Sequence, residues 1–164
     1  MTIEQLSALS KEQFVEELGR IYEHSPWVAE RAWSSRPFVS LEDLTRKMNA
    51  AVDAASNDEQ LALLRAHPEL GTRLQVSEIS GTEQSGAGLS TLFQDEYQVL
   101  KHLNDSYRAK FGFPFIYAVK GSGKDDVLVA LSVRVHSDAE TEFRQALWEV
   151  SRIARFRLAD IVKD

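Results

Sequence analysis

Cysteine is absent from this 164-residue chain, which removes disulfides, thiolate metal sites and cysteine nucleophiles together and fits a reducing compartment. No apolar run approaches the ~20 residues that cross a bilayer. The N-terminus, Met-Thr-Ile-Glu-Gln-Leu, lacks the basic and apolar regions of a secretory leader, and the final Ile-Val-Lys-Asp is no peroxisomal signal. The expectation is a cytoplasmic protein without membrane contact. Positive charge is in deficit: 19 Lys and Arg face 25 Asp and Glu, for a formal net charge of -6. That balance argues against a nucleic-acid partner, because phosphates demand a basic surface. Histidine is sparse. The four, at positions 24, 67, 102 and 136, show neither His-x-x-x-His nor His-Glu-x-x-His spacing, so no metal site is expected.

What is present suits a globular protein, with 43% hydrophobic and 27% charged residues. The length supports one domain with a substantial core, residues 1–164, and is short for two. Helix signals recur throughout. Ser10-Lys-Glu-Gln13 reads as a capping box ahead of Phe14, Leu18, Ile21 and Tyr22 on one face. Ser25-Pro26 reads as a cap with proline at N1, opening a helix that carries Trp27 and Trp33 and ends before Pro37. Ser40 starts a third, with Leu41, Leu44, Met48, Ala51 and Val52 at helical spacing. Asn57 or Asp58 caps a fourth, whose Leu61 and Leu64 lead to His67.

The longest pattern runs from about Thr82 to Ala109 through Leu89, Leu92, Phe93, Leu100, Leu103 and Tyr107, and stops at Gly112 and Pro114. A last helix is expected from the box Ser137-Asp-Ala-Glu140 onward. Residues 126–135 are β-branched and alternate well enough for a strand, but their only pairing candidate is Phe113–Val119. A two-stranded sheet is marginal, so helix is expected there too, and the fold class is all-α. Gly-Ser-Gly-Lys-Asp at 121–125 resembles a phosphate loop only superficially, with Ala118 where glycine is required and Asp125 where Ser or Thr is; it reads as a turn.

Two places carry chemistry. His67 stands at a helix end because Pro68 disfavours helix in the residue before it. There the imidazole either projects into a cleft or serves the helix dipole; His24 and His102 read as helix-surface residues and His136 as a turn residue. Ser80-Gly-Thr-Glu83 is a capping box by spacing. Gln84, Gly86 and Gly88 are poor first-turn residues for a purely structural helix, however, and helix-start amides can hold an anion. His67 and Glu83 thus form a candidate acid/base pair. The aromatic stretch Lys110–Val119 either packs as a connector or offers its backbone to a flat polar ring. Of the arginines at 134, 144, 152, 155 and 157, most are expected at the surface, and an anionic substrate requires at least one turned inward.

Together these motifs resemble one family. His67-Pro68-Glu-Leu-Gly, Ser80-x-x-Glu-Gln84-x-x-Ala-Gly-Leu89, Asn104-x-x-Tyr107-x-x-Lys-Phe-Gly-Phe-Pro-Phe115 and Arg152-Ile-Ala-x-x-Arg-Leu158 are similar to those of 2-oxo-4-hydroxy-4-carboxy-5-ureidoimidazoline (OHCU) decarboxylases, over about Phe14 to Leu158. The resemblance implies an all-helical fold, a homodimer, and release of carbon dioxide from an anionic ureidoimidazoline to give S-allantoin in urate breakdown, with no metal or organic cofactor. It implies His67 and Glu83 as the catalytic pair, with acid and base roles open between them. Pro68, Ser80, Gln84 and the backbone of Phe115, Ile116, Tyr117, Ala118 and Val119 are implied as substrate contacts. Arg157, close to Arg152 and Arg155 in sequence, matches the inward arginine. A hydrolase acting on a related ureido ring, and a protein-interaction module presenting Trp27, Trp33 and arginines, are the alternatives from other classes.

Overall fold

The computed structural model describes residues 1–70 and 94–163, and every regular element among them is helical. The chain forms two compact units, Met1–Ala66 with Ser151–Asp164, and His67–Val150.

In the first unit, α1 (Ile3–Ala8) was not anticipated by the helix signals. It opens on a Thr2/Gln5 capping box and buries Ile3 and Leu6. Helix α2 (Lys11–Leu18) carries the expected Ser10/Gln13 box and buries Phe14 and Leu18. Ile21 and Tyr22, expected on the same helix face, lie past its end yet remain buried. Helix α3 (Trp27–Ala32) differs at its start. Pro26 occupies the cap position with no side-chain cap, and the Ser25 hydroxyl donates instead to the Glu23 carbonyl at 2.8 Å. That bond closes a turn in which His24 takes φ 46°; His24 is a turn residue and not a helix-surface one.

A 3₁₀ turn (Trp33–Ser35) leads on to α4 (Leu41–Asp53). Ser40 caps α4 as expected, and Leu44, Met48 and Val52 are buried along it. Helix α5 (Asn57–Arg65) is capped by Ser56, paired with Glu59, and by neither Asn57 nor Asp58. Starting one residue earlier puts Glu59 at N3, where its carboxylate accepts from the Ser56 N–H at 3.2 Å and completes the box.

In the second unit, α6 (Gln94–Phe111) ends where Gly112 takes φ 79° and its N–H bonds the Arg108 carbonyl at 2.8 Å. A side chain is disfavoured in that left-handed conformation. The part of the long expected helix from Thr82 to Phe93 lies outside the described residues. Helix α7 (Lys124–Arg134) settles the 126–135 ambiguity as expected. Val127, Leu131 and Val135 are buried, whereas Val129 and Val133 are exposed. The four-residue spacing that packs inward, rather than β-branching, decides the conformation. Of the turn expected at 121–125, Gly121 to Gly123 precede the helix while Lys124 and Asp125 open it, and the Gly123 N–H donates to Asp126 at 3.0 Å.

Helix α8 (Ala139–Ile161) begins one residue later than the expected box. Asp138, not Ser137, is the cap: its carboxylate accepts from the Thr141 N–H at 2.8 Å and from the Thr141 hydroxyl at 2.9 Å. A carboxylate supplies both bonds and brings negative charge to the helix start. No helix among the described residues is long and apolar enough to cross a membrane.

Candidate active site

His67 follows the last turn of α5 and is buried, 6% exposed; Pro68 beside it is half-buried. The chain is then fastened to α6 twice. The Asn104 amide donates to the Leu70 carbonyl at 2.9 Å, and Glu69 pairs with Arg108 at 3.3 Å. Asn104 is itself 3% exposed, so its bond is made out of water and fixes backbone geometry. The backbone that follows His67 is thus anchored three residues on, at Leu70. Ser80, Glu83 and Gln84 lie outside the described residues.

The stretch Phe113–Val119 buries Phe113, Phe115, Ile116, Ala118 and Val119, with Tyr117 half-buried. Its anchor is a buried polar cluster. Glu142, 1% exposed, accepts from the Tyr107 hydroxyl and from Arg134 Nε at 2.6 Å. Arg134 also donates through Nη1 to the Ile116 carbonyl at 2.7 Å, and its guanidinium sits 4.6 Å from the Phe115 ring centroid. Burial, followed by the bond to Glu142, pushes the Tyr107 hydroxyl well above the usual phenol range. It therefore acts as a neutral donor. Glu149, 2% exposed, accepts from the Ala118 N–H at 2.9 Å. Lys110 donates to the Val135 carbonyl at 2.9 Å.

The spaced residues Asn104, Tyr107 and Lys110 thus act as three fasteners along one helix. Glu142 and Glu149 were missed by sequence reasoning. Their only signal was an i, i+7 pair of acids on the inward stripe of α8, where apolar residues are the norm.

Of the arginines on α8, Arg144 pairs with Glu140 at 2.7 Å and Arg155 with Glu42 at 2.7 Å, both at the surface. Arg157 is buried, 5% exposed. It donates to the Ile21 carbonyl at 3.2 Å and to Glu23 at 2.9 Å. Among the described residues Arg134 is turned inward as well, and the expectation named only Arg157. His102 is exposed on α6 and His136 lies in a turn, both as expected. Among the described residues no group of three or more His, Asp or Glu is placed to hold a metal. Trp33 bonds the Leu9 carbonyl through its indole at 3.0 Å, and Arg31 and Arg36 lie over the rings of Trp27 and Trp33.

Among the described residues the fold is all-helical, with a buried histidine just past α5 and a Phe113–Val119 backbone held by buried charged side chains. The chain belongs to the OHCU decarboxylase family, whose model matches residues 7–159. It is 48% identical to the 2-oxo-4-hydroxy-4-carboxy-5-ureidoimidazoline decarboxylase of Haloferax volcanii, over 98% of this chain and 95% of that one. It is 50% identical to a bifunctional uric acid degradation protein of Bacillus subtilis, over 99% of this chain but 33% of the relative. Among solved structures, an (S)-allantoin synthase superposes with a TM-score of 0.80 at 34% identity, over 99% of this chain and 54% of that one.

Proposed function

We propose that this chain decarboxylates 2-oxo-4-hydroxy-4-carboxy-5-ureidoimidazoline to S-allantoin and carbon dioxide in urate breakdown. It does so as a single domain and as a homodimer in the cytoplasm, with neither metal nor organic cofactor. The observation that carries the reading is His67, buried at the end of α5 in a segment fastened to α6 through Leu70 and Glu69, within a chain of this family over residues 7–159.

The substrate carries a carboxylate and a hydroxyl on one ring carbon, next to a ring carbon doubly bonded to nitrogen. When the bond to the carboxylate breaks, its electron pair flows into that imine, and carbon dioxide leaves. The electron sink is built into the substrate. What the protein supplies is positioning, removal of the hydroxyl proton, return of a proton to the former imine nitrogen and delivery of a proton to the neighbouring carbon. Glu83 accepts from or orients the hydroxyl, and His67 gives the proton. Pro68, Ser80, Gln84 and the backbone of Phe115–Val119 hold the ring and its ureido arm, while Arg157 grips the carboxylate.

Freshly generated substrate, followed by ultraviolet absorbance and circular dichroism, tests this reading. In heavy water the product should be one enantiomer carrying deuterium at the new stereocentre, because a held intermediate meets a proton donor on one face only. Racemic product sampled early, formed at the accelerated rate, would mean that protonation follows release and that His67 is not the stereospecific donor.

A further inference from the structure

Phe113, Phe115 and Tyr117 set their rings on one side of a stretch that is neither helix nor turn over 114–119. The rings of Phe115 and Tyr117 stack with centroids 6.1 Å apart, and those of Phe113 and Phe115 lie 5.9 and 5.4 Å from Tyr107. That spacing is the signature of extended chain, in which the N–H and C=O groups of alternate residues share an edge. The edge belonging to the even-numbered residues is occupied. The Ile116 carbonyl accepts from Arg134 at 2.7 Å, and the Ala118 N–H donates to Glu149 at 2.9 Å. Phe115, Tyr117 and Val119 consequently present their polar backbone along the opposite edge. There the Val119 carbonyl already accepts from the Ser122 N–H at 2.9 Å.

A carboxylate 2% exposed is costly to bury unless it does something water cannot. Glu149 accepts from the Ala118 amide at 2.9 Å and, among its other interactions, from the Gln145 amide at 3.3 Å. We propose that Glu149, seconded by Arg134, is a positioning residue for substrate binding. By tying down the even edge it sets the Tyr117 N–H and C=O, side by side on the odd edge, as a donor–acceptor pair for the planar amide edge of the ring. The inference rests on the reading that this backbone contacts substrate. It adds which edge does so and what holds it there.

Two conservative variants separate this role from charge balance. Glu149→Gln keeps an oxygen at the same reach, and Gln145 can turn its own amide to match. Its KM should stay within about twofold of the parent, as expected when one hydrogen-bond acceptor replaces another. Glu149→Asp keeps the charge but withdraws the acceptor by one methylene. Its KM should rise roughly tenfold, the order of one lost hydrogen bond, with kcat within about twofold.

The reverse order, with Asp tolerated and Gln impaired, would assign Glu149 to charge balance and overturn the proposal. Unchanged KM in both variants, or a fall in kcat alone, would overturn it equally. Should Glu149→Asp fail to fold, Arg134→Lys carries the test: it cannot serve Glu142 and the Ile116 carbonyl together, and an unchanged KM there sinks the idea. A parent protein that releases no carbon dioxide from the ureidoimidazoline would instead fail at the control, and would sink the decarboxylase reading before any variant is compared.

Discussion

His67 and Arg157 carry the residue-scale argument. His67→Asn preserves size and hydrogen-bonding capacity but cannot transfer a proton at neutral pH, so the protein should stay folded and lose roughly 10²- to 10⁴-fold in kcat/KM. Near-parental turnover by the folded variant would remove His67 from the reaction. In the sequence the resemblance matched Arg157 to the inward arginine, although 152, 155 and 157 all sit within two helical turns. What separates them is burial. Arg155 reaches a surface glutamate, whereas Arg157 is enclosed and bonded to Ile21 and Glu23. Lysine cannot make two divergent bonds from one nitrogen at the same reach. Arg157→Lys should therefore raise KM and also lower Tm by about 2–4 °C, for the loss of ~1 kcal/mol in a chain of this size. A KM defect confined to lysine variants at 152 or 155 would point to a different arginine as the carboxylate grip.

At the scale of elements, the helices were legible because 3.6-residue spacing and capping residues are local signals. Their starts were less so. Ser56 and Asp138 took the cap positions expected of Asn57 or Asp58 and of Ser137, since adjacent polar residues compete for one cap, and Pro26 stands where Ser25 was expected, without a side-chain cap. The sites that pair across the fold, Glu142 and Glu149 above all, could not be read from a helix pattern, because a buried acid and a solvated one look alike in sequence.

The start of α5 makes a measurable case. Glu59 is held at a pKa of about 2, well below its ordinary 4.5, first by the hydrogen bond from Arg31 and then by the Ser56 N–H. A depressed carboxylate stabilises the fold fully above the unfolded pKa, and that contribution is lost as pH falls through the folded one. Between about pH 4.5 and 2, Tm of Glu59→Gln should fall less steeply than that of the parent. Parallel curves would show that the Arg31 bond is not kept in solution. Ser56→Ala should cost about 0.5–2 kcal/mol at neutral pH, read from denaturant midpoints.

At the scale of the molecule, nothing in the sequence announced that one compact unit is made from two distant stretches. Met1–Ala66 is joined by Ser151–Asp164, and the bonds that close it are among the longest in sequence. Arg157 meets Ile21 across 136 positions. The Met1 amino group meets the Ile161 carbonyl across 160, and the Lys163 N–H returns to the Met1 carbonyl at 2.7 Å. A chain cut after Val150 should lose the sharp thermal transition of the intact protein in calorimetry, and adding residues 151–164 as a separate peptide should restore part of it. A cooperative transition at the parental temperature in the shortened chain would show that the first stretch closes without the second.

For a ribosome the same arrangement imposes an order of events. The first stretch leaves the exit tunnel with Leu6, Phe14, Leu18 and Val28 ready to pack, but Arg157, which binds Ile21 and Glu23 there, has not been made. At about 5–20 residues per second, the ~90 residues still to come take roughly 5–20 s. Through that interval the early helices must either pack among themselves or meet a chaperone. A slow codon anywhere between Ala66 and Arg157 would prolong the wait, and one placed before Ala66 would leave it unchanged.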